Sequence, residues 1–320
     1  MIVVVVRSLV YNHEPYLRDT LDGFVMQKTN FKFEVQVHDD ASTDNSQAII
    51  KEYAAKYPEI IKPFLEEENQ YSKGVNGVMR WGKLNCKYVA LCEGDDYWTN
   101  QNKLQRQVDF LESHPEYSMC FHDVDIKAEK GREWYDVFGK LEDRDYTGLE
   151  NMLKWSVPTC SMVMRREMFE TRPTNPKFTM GDNVLVLHCS RNGKIRCIPE
   201  KMGVYRLTPT SWIGGQSDKV QRYKYISHYL GLIEEFEECR CEKMYDILEN
   251  QYFQLLAILK REGDKEEFEH IKQEYLTYPG TTHWDKFCSF YIKNSFRSNV
   301  KSLLSKNVVH LVRKVKKYKI

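Results

Sequence analysis

Several familiar features are missing from this chain of 320 residues, and each absence excludes something. No run of 18 or more consecutive apolar residues occurs, so no stretch reads as a membrane-spanning helix. There is no Cys-x-x-Cys pair among the nine cysteines, whose number is odd. Neither a disulfide framework nor a zinc site is indicated, and a reduced cytosolic setting is expected. No Gly-x-x-x-x-Gly-Lys-Ser/Thr occurs, and no Gly-x-Gly-x-x-Gly follows the first strand, so P-loop and dinucleotide-binding readings lack support. Internal repeats and low-complexity linkers are absent too. A dominant charge is missing as well: 47 basic and 46 acidic side chains leave +1, which excludes a uniformly basic nucleic-acid binder. The opening Met1-Ile2-Val3-Val4-Val5-Val6 is too short for a secretion signal and reads as a strand.

Hydrophobic residues at 42% and charged residues at 29% give enough apolar material for a sizeable core. Over the first 125 residues strand-like and helix-like stretches alternate. Ile2–Val10 is β-branched, and Tyr16, Leu17, Thr20, Leu21, Phe24 and Val25 recur at helical spacing behind Pro15. Phe33–Val37, Ile60–Leu65 and Tyr88–Cys92 read as further strands. Ser42, Thr43 and Asp44 offer caps for a helix that Pro58 stops, and Asn100–His114 is amphipathic. That alternation predicts βαβ units and a mostly parallel sheet flanked by helices. Asp125–Asp145 is charged and reads as loop; Ser161–Arg165, Lys194–Pro199 and Val204–Leu207 read as short strands around a helix at Asp182–Ser190. From Gln221 to Tyr278 the pattern is helical, broken near Gly263-Asp264. The expected domains are an α/β domain over 1–215, a helical extension over 216–280 and a basic tail over 281–320.

Ligands of open parallel sheets bind beyond the carboxyl ends of the strands. Two acidic clusters fall at such ends, His38-Asp39-Asp40 and Glu93-Gly94-Asp95-Asp96. Carboxylates crowded together repel, and a hard divalent cation with oxygen ligands neutralises them; a solvated acidic turn is the plainer explanation. Asp182, before the apolar Val184-Leu185-Val186-Leu187, suits either a helix cap or a general base. His188 on the same helix reads as packing.

In order, Tyr11-Asn12-His13-Glu14-Pro15-Tyr16-Leu17, Gln27, Asp39-Asp40-Ala41-Ser42-Thr43-Asp44 and Glu93-Gly94-Asp95-Asp96-Tyr97-Trp98 resemble the sequential signatures of family-2 glycosyltransferases. The likeness runs over roughly residues 1–215 and implies a GT-A fold, a nucleotide-binding α/β domain joined to an acceptor-binding part. It implies an inverting hexosyltransferase that moves sugar from a nucleotide-sugar, commonly a UDP-sugar, to a glycan or lipid-linked acceptor. By position, Tyr11, Asn12, Glu14, Asp39, Asp40 and Asp95 match nucleotide-binding residues, with Asp40 at the base. Asp95 and Asp96 match the holders of Mg²⁺ or Mn²⁺, and Asp182 matches the general base. Arg206 stands as a candidate diphosphate contact and Trp98 as a candidate sugar contact, with Trp155 and Trp212 lower in rank. Two departures stand out: Glu93 replaces the first Asp of the acidic motif, and Thr208 replaces a histidine two residues after Arg206.

From Lys286 to Ile320 ten Lys/Arg and no Asp/Glu occur, which leaves −9 on residues 1–285. Val300, Leu303, Leu304, Val308, Leu311, Val312 and Val315 keep helical spacing there. A basic amphipathic helix over 291–320 fits an anionic membrane surface; docking on the acidic body is the alternative, and no nucleic-acid recognition motif accompanies it. Peripheral attachment to the inner face of the cell membrane follows as the expected location. Two other functions compete: a non-catalytic nucleotide-sugar-binding scaffold, and a sugar-phosphate nucleotidyltransferase, whose Gly- and Lys-bearing first loop is absent from Tyr11–Tyr16.

Overall fold

The computed structural model describes residues 1–71, 82–129, 138–208 and 217–277. The basic tail and Trp212 lie outside the described residues. In chain order come β1 (Ile2–Val10), α1 (Glu14–Val25), β2 (Lys32–Asp39), α2 (Ser46–Lys56), β3 (Ile61–Leu65), β4 (Tyr88–Leu91) and β5 (Tyr97–Trp98). Next are α3 (Lys103–Ser113), β6 (Tyr117–Ala128), β7 (Asp145–Tyr146), α4 (Gly148–Leu153), β8 (Val163–Arg165), α5 (Arg166–Glu170), α6 (Gly181–Asn192) and β9 (Lys194–Leu207). Helices α7 (Asp218–Glu235), α8 (Glu242–Glu262) and α9 (Lys265–Thr277) follow.

One nine-stranded sheet runs β3-β2-β1-β4-β8-β6-β9-β5, with β7 also on β9. The pairs β2/β3, β1/β2, β1/β4 and β6/β9 are parallel. β8 is antiparallel to both β4 and β6, and β5 and β7 are antiparallel to β9. The sheet is thus mixed. Its central strand carries Val4, Val5 and Val6 in succession, all at most 1% exposed, as a strand covered on both faces requires. Helix α1 packs so tightly on β5 that a Cβ at Gly23 would come within 2.9 Å of the Trp98 backbone.

The charged stretch read as loop begins inside a strand. β6 extends to Ala128, and its second half pairs along β9 up to Leu207. β9 itself is one strand of 14 residues where two short ones were expected. Its register slips between Ile198 and Lys201 opposite His122 and Asp123, so Pro199 and Glu200 sit in a bulge that needs no ladder N–H. The helices expected at Asn100 and Asp182 start at Lys103 and Gly181 instead.

The chain divides into two compact units, one of Met1–Gln216 with Glu234–Cys239 and one of Ser217–Ile233 with Arg240–Ile320. In the second, Leu248, Tyr252, Leu255, Leu256, Leu259, Ile271 and Tyr275 form a buried seam between α8 and α9. Gly263, at φ 76°, makes the left-handed cap between those helices. No described helix is long and apolar enough to cross a membrane.

Candidate active site

The parallel strands β2, β1 and β4 end side by side, which brings the two acidic clusters to one edge of the sheet. After β4 the chain turns at Gly94, whose N–H donates to Leu9 O at 2.8 Å. A Cβ there would meet His13 Nδ1 at 2.7 Å and Val10 Cγ2 at 2.8 Å, so only glycine fits. The turn is then gripped from outside itself. The Thr20 hydroxyl lies 2.6 Å from Asp96 O and 3.0 Å from Gly94 O. Arg206 donates from Nη1 to Asp95 O and from its backbone N to Asp96 Oδ1, each at 2.8 Å.

As a result Glu93, Asp95 and Asp96 each present a carboxylate oxygen, all within 4.8 Å of one another. Loss of hydration, and then the charges of Asp95 and Asp182, push the Glu93 carboxyl up to about 8. Burial, Asp95 and Glu93 raise Asp96 well above the usual carboxylate range. No N–H or O–H donor reaches Asp96 Oδ2, although it is buried. Three clustered oxygens, one of them orphaned, fit a hard divalent cation. Thr208 Oγ1 sits 3.4 Å from Asp95 Oδ2, so the position that lacks histidine still touches this cluster.

Asp182 lies in the first turn of α6, and its charge reaches Glu93. Met180, not Asp182, is the N-cap residue, and no side chain caps that helix. Burial raises the Asp182 carboxyl, which keeps it basic enough to accept a proton. Thr159 Oγ1 stands 3.5 Å from Asp182 Oδ2.

The β1–α1 and β2–α2 loops are laced together. Asn12 Oδ1 accepts from Thr43 N at 2.8 Å, and Glu14 Oε2 and Oε1 accept from Asn45 N at 3.0 Å and Asn45 Nδ2 at 2.7 Å. Asp44 Oδ2 takes Glu14 N in return at 2.9 Å. Asn12 and Ala41 both have positive φ, 55° and 59°, the two described non-glycine residues that do. Such local strain is tolerated where the surroundings fix it. Asp39 is fully buried and accepts from Ser42 N at 2.9 Å, Gln47 Nε2 at 2.8 Å and the Ser42 hydroxyl. Asp40 accepts from Gln70 N at 2.7 Å and Tyr71 N at 3.1 Å. Tyr11, by contrast, is 46% exposed at this edge.

Most of the residues expected to meet ligand are engaged within the protein. Asn12, Glu14 and Asp39 spend their side chains tying loops, and both Asp40 oxygens already hold the 70–71 backbone. Trp98 is 1% exposed, with its indole N–H on Cys160 O at 2.7 Å, the Lys103 ammonium 3.9 Å from its ring centroid and Phe24 edge-on, so no face is open to a sugar. The Arg206 side chain is 1% exposed, paired with Asp19 and 3.7 Å from Glu129, and braces the acidic turn. Trp155 packs on Phe138 and Tyr205. His188 meets Thr171 Oγ1 through Nε2 at 3.0 Å, and its carbonyl accepts from Asn192 Nδ2 at 2.8 Å. Thr20, Thr159 and Asp19 escape sequence reading, because a hydroxyl or an exposed acid carries no mark of a partner that lies 76, 23 or 187 residues away, respectively. Only the spacing of Thr20 on the inner face of α1 hints at it.

The model of glycosyl transferase family 2 matches residues 6–172. An uncharacterized protein of Mycobacterium tuberculosis is 39% identical over 203 residues, 62% of this chain and 57% of that protein. The chain thus spans little more than half of that relative's length. Staphylococcus aureus TarS in complex with UDP superposes with a TM-score of 0.53 at 18% identity, covering 81% of this chain and 71% of that one. The mannosyltransferase of Pyrobaculum calidifontis in complex with GDP-Man and Mn²⁺ gives 0.51 at 15% identity, covering 95% and 87%. The α/β architecture is of the GT-A type that these neighbours share. With more than half of its length inside the matched region, this chain belongs to glycosyl transferase family 2.

Proposed function

We propose that the chain transfers a sugar from a nucleotide-sugar, in the first instance a UDP-sugar, to a hydroxyl of a glycan or lipid-linked acceptor with inversion at the anomeric carbon. The observation that carries this reading is the convergence of Glu93, Asp95 and Asp96 within 4.8 Å, with Asp182 near enough to act on Glu93. Nucleotide-bound neighbours lend support, one holding UDP and the other the donor GDP-Man with Mn²⁺.

Asp95 and Asp96 hold Mg²⁺ or Mn²⁺ in this reading, with Glu93 completing the oxygen set. The cation supplies positive charge against the departing diphosphate. The exposed ring of Tyr11 flanks the base, while Asp39, Asp40, Asn12 and Glu14 fix the loops that receive base and ribose. Asp182 takes the acceptor's hydroxyl proton as that oxygen bonds to the anomeric carbon, and the electron pair of the broken carbon–oxygen bond leaves on the diphosphate. Arg206 and Thr20 hold the carbonyls of the acidic turn so that the carboxylates stay aimed. Work on the inner side of the cell membrane, with 291–320 against anionic lipid, completes the proposal.

Nucleoside diphosphate release from a panel of UDP- and GDP-sugars, with Mn²⁺ or with a chelator, tests it. Release that needs the cation, a loss of about 10²-fold or more in Asp182→Asn and an unchanged nucleotide affinity in that variant are expected. Unchanged turnover in Asp182→Asn removes the base. Nucleotide binding without release from any donor favours the non-catalytic scaffold.

A further inference from the structure

Trp98 is closed to a sugar, but a second aromatic side chain reaches the acidic edge. Side chains alternate between the two faces of β9. Arg206 turns to α1, where Asp19 and the Tyr16 ring meet it, so Tyr205 turns to the opposite face. There Phe138 and Trp155 stand edge-on to its ring, with centroids 5.1 and 5.7 Å away and interplanar angles of 86° and 88°. Phe138 is buried and anchors the set. Two edge-to-face contacts fix the direction of the phenol, while Tyr205 itself stays half-buried. Its hydroxyl has no hydrogen-bond partner among the described residues.

The charges that reach Tyr205 locate that hydroxyl. Burial, and then Asp96, Glu93, Asp95 and Asp182, hold the phenol well above the usual tyrosine range. Three of those acids form the oxygen cluster, and the fourth is the proposed base. The backbone agrees: Arg206 N, next in the chain, donates to Asp96 Oδ1 at 2.8 Å, and Thr208 Oγ1 lies 3.4 Å from Asp95 Oδ2. The space in front is open. Asp95 and Asp182 are half-buried like Tyr205, and a Cβ at Gly181, beside the base, would meet nothing within 4 Å. In a displacement the transferred carbon lies between the oxygen that leaves and the oxygen that attacks. The leaving oxygen belongs beside the cluster and the attacking one beside Asp182, so a side chain reached by both stands along the transferred sugar. A phenol that keeps its proton offers that sugar a donor as well as an acceptor.

We propose that the Tyr205 hydroxyl holds a hydroxyl group of the transferred sugar and takes part in choosing which sugar is accepted. This rests on the transferase reading above and adds to it a residue that contacts the sugar of the donor.

Calorimetric titration of the full chain with Mn²⁺ tests the contact, using UDP-glucose, UDP-galactose, UDP-N-acetylglucosamine and GDP-mannose, each beside its own nucleoside diphosphate. Tyr205→Phe keeps the ring against Phe138 and Trp155 and removes only the hydroxyl. The variant should bind UDP and GDP as the parent does, which also reports folding. It should bind the nucleotide-sugar that the parent binds best about 3- to 10-fold more weakly, the range of one neutral hydrogen bond. Diphosphates and nucleotide-sugars weakened alike, or no nucleotide-sugar weakened at all, overturns the contact. A parent that binds none of these nucleotides would instead strike at the transferase reading itself, so the two failures are distinct.

Discussion

The hydroxyl of Thr20 and the carbonyl of Asp96 stand 2.6 Å apart, which fastens the first helix directly to the acidic turn. The same hydroxyl lies 3.0 Å from Gly94 O, and both contacts are buried. Thr20→Val keeps the shape and removes the donor, leaving buried carbonyls without their partner. Such a loss costs about 1–3 kcal/mol. Urea denaturation should register that cost, and cation affinity should fall with it, because the turn that aims Asp95 and Asp96 is loosened. A variant that keeps full stability and full Mn²⁺ affinity would show that the turn holds itself.

A second prediction concerns pH and the cation together. The ordinary glutamate value of 4.5 is raised in Glu93 to about 8. Between those values the folded, metal-free chain holds a proton that the unfolded chain has released, so folding stability contributed by this group declines as pH rises. The share of metal-free stability that Glu93 carries should therefore be lost between pH 5.5 and its raised value of about 8, read as the difference between parent and Glu93→Gln, and Mn²⁺ should recover it at the upper end. Glu93→Gln should flatten the metal-free profile. Denaturation midpoints at the two pH values, with a chelator and with Mn²⁺, measure both effects, and an unchanged slope in Glu93→Gln would place the titration elsewhere.

What the sequence could reveal depended on whether a residue's partner lay nearby in the chain. Ile2–Val10 and the recurrence of Leu17, Leu21 and Phe24 report their own burial, so β1 and α1 are legible from spacing alone. Glu93–Asp96 are legible because crowded carboxylates at a strand end are costly by themselves. β6 was not read as a strand, and its second half is hidden because Asp125 and Lys127 face solvent and their alternation with Val124 and Ile126 resembles a charged loop. Pro199 argues for a strand end, and only the slip against His122 and Asp123 makes room for it. The bracing role of Arg206 was hidden for a related reason: its partners Asp19, Asp95 and Asp96 come from distant segments, and an arginine looks the same in sequence whether it braces a turn or meets a ligand.

Lys103 gives a third prediction, on stability. It is fully buried on Trp98, and burial lowers its ammonium from 10.5 to about 7. No hydrogen-bond partner reaches its Nζ. Below about 7 the folded state must carry a buried charge that the unfolded chain solvates freely, and stability rises with pH from about 7 to 10.5. The contact with the Trp98 face returns about 2 kcal/mol, less than the desolvation cost that such a shift implies. Lys103→Met, similar in volume, should therefore stabilise the chain at pH 6 by about 1–4 kcal/mol, with a smaller gain at pH 9. Chemical denaturation at both pH values decides it; a destabilised variant at pH 6 would mean that the ammonium is held by more than the ring.

Asp40 separates two ways of recognising a nucleotide. Its N–H donates to Val10 O at 3.0 Å, its C=O accepts from Asn69 Nδ2 at 3.0 Å, and its two carboxylate oxygens take Gln70 N and Tyr71 N. One residue thus stitches the end of β1 to residues 69–71. Asp40→Asn turns one acceptor into a donor facing a backbone N–H, which removes a charge-assisted bond worth about 1.5–3 kcal/mol and pushes the segment away. If Asp40 holds the loop, affinity for UDP and GDP should fall by the same factor, about 10-fold or more, since neither base meets the lost carboxylate. Direct contact with the base would instead change the ratio between the two nucleotides, because their ring edges present different donors. Calorimetric titration of both nucleotides into the parent and the variant reads that ratio.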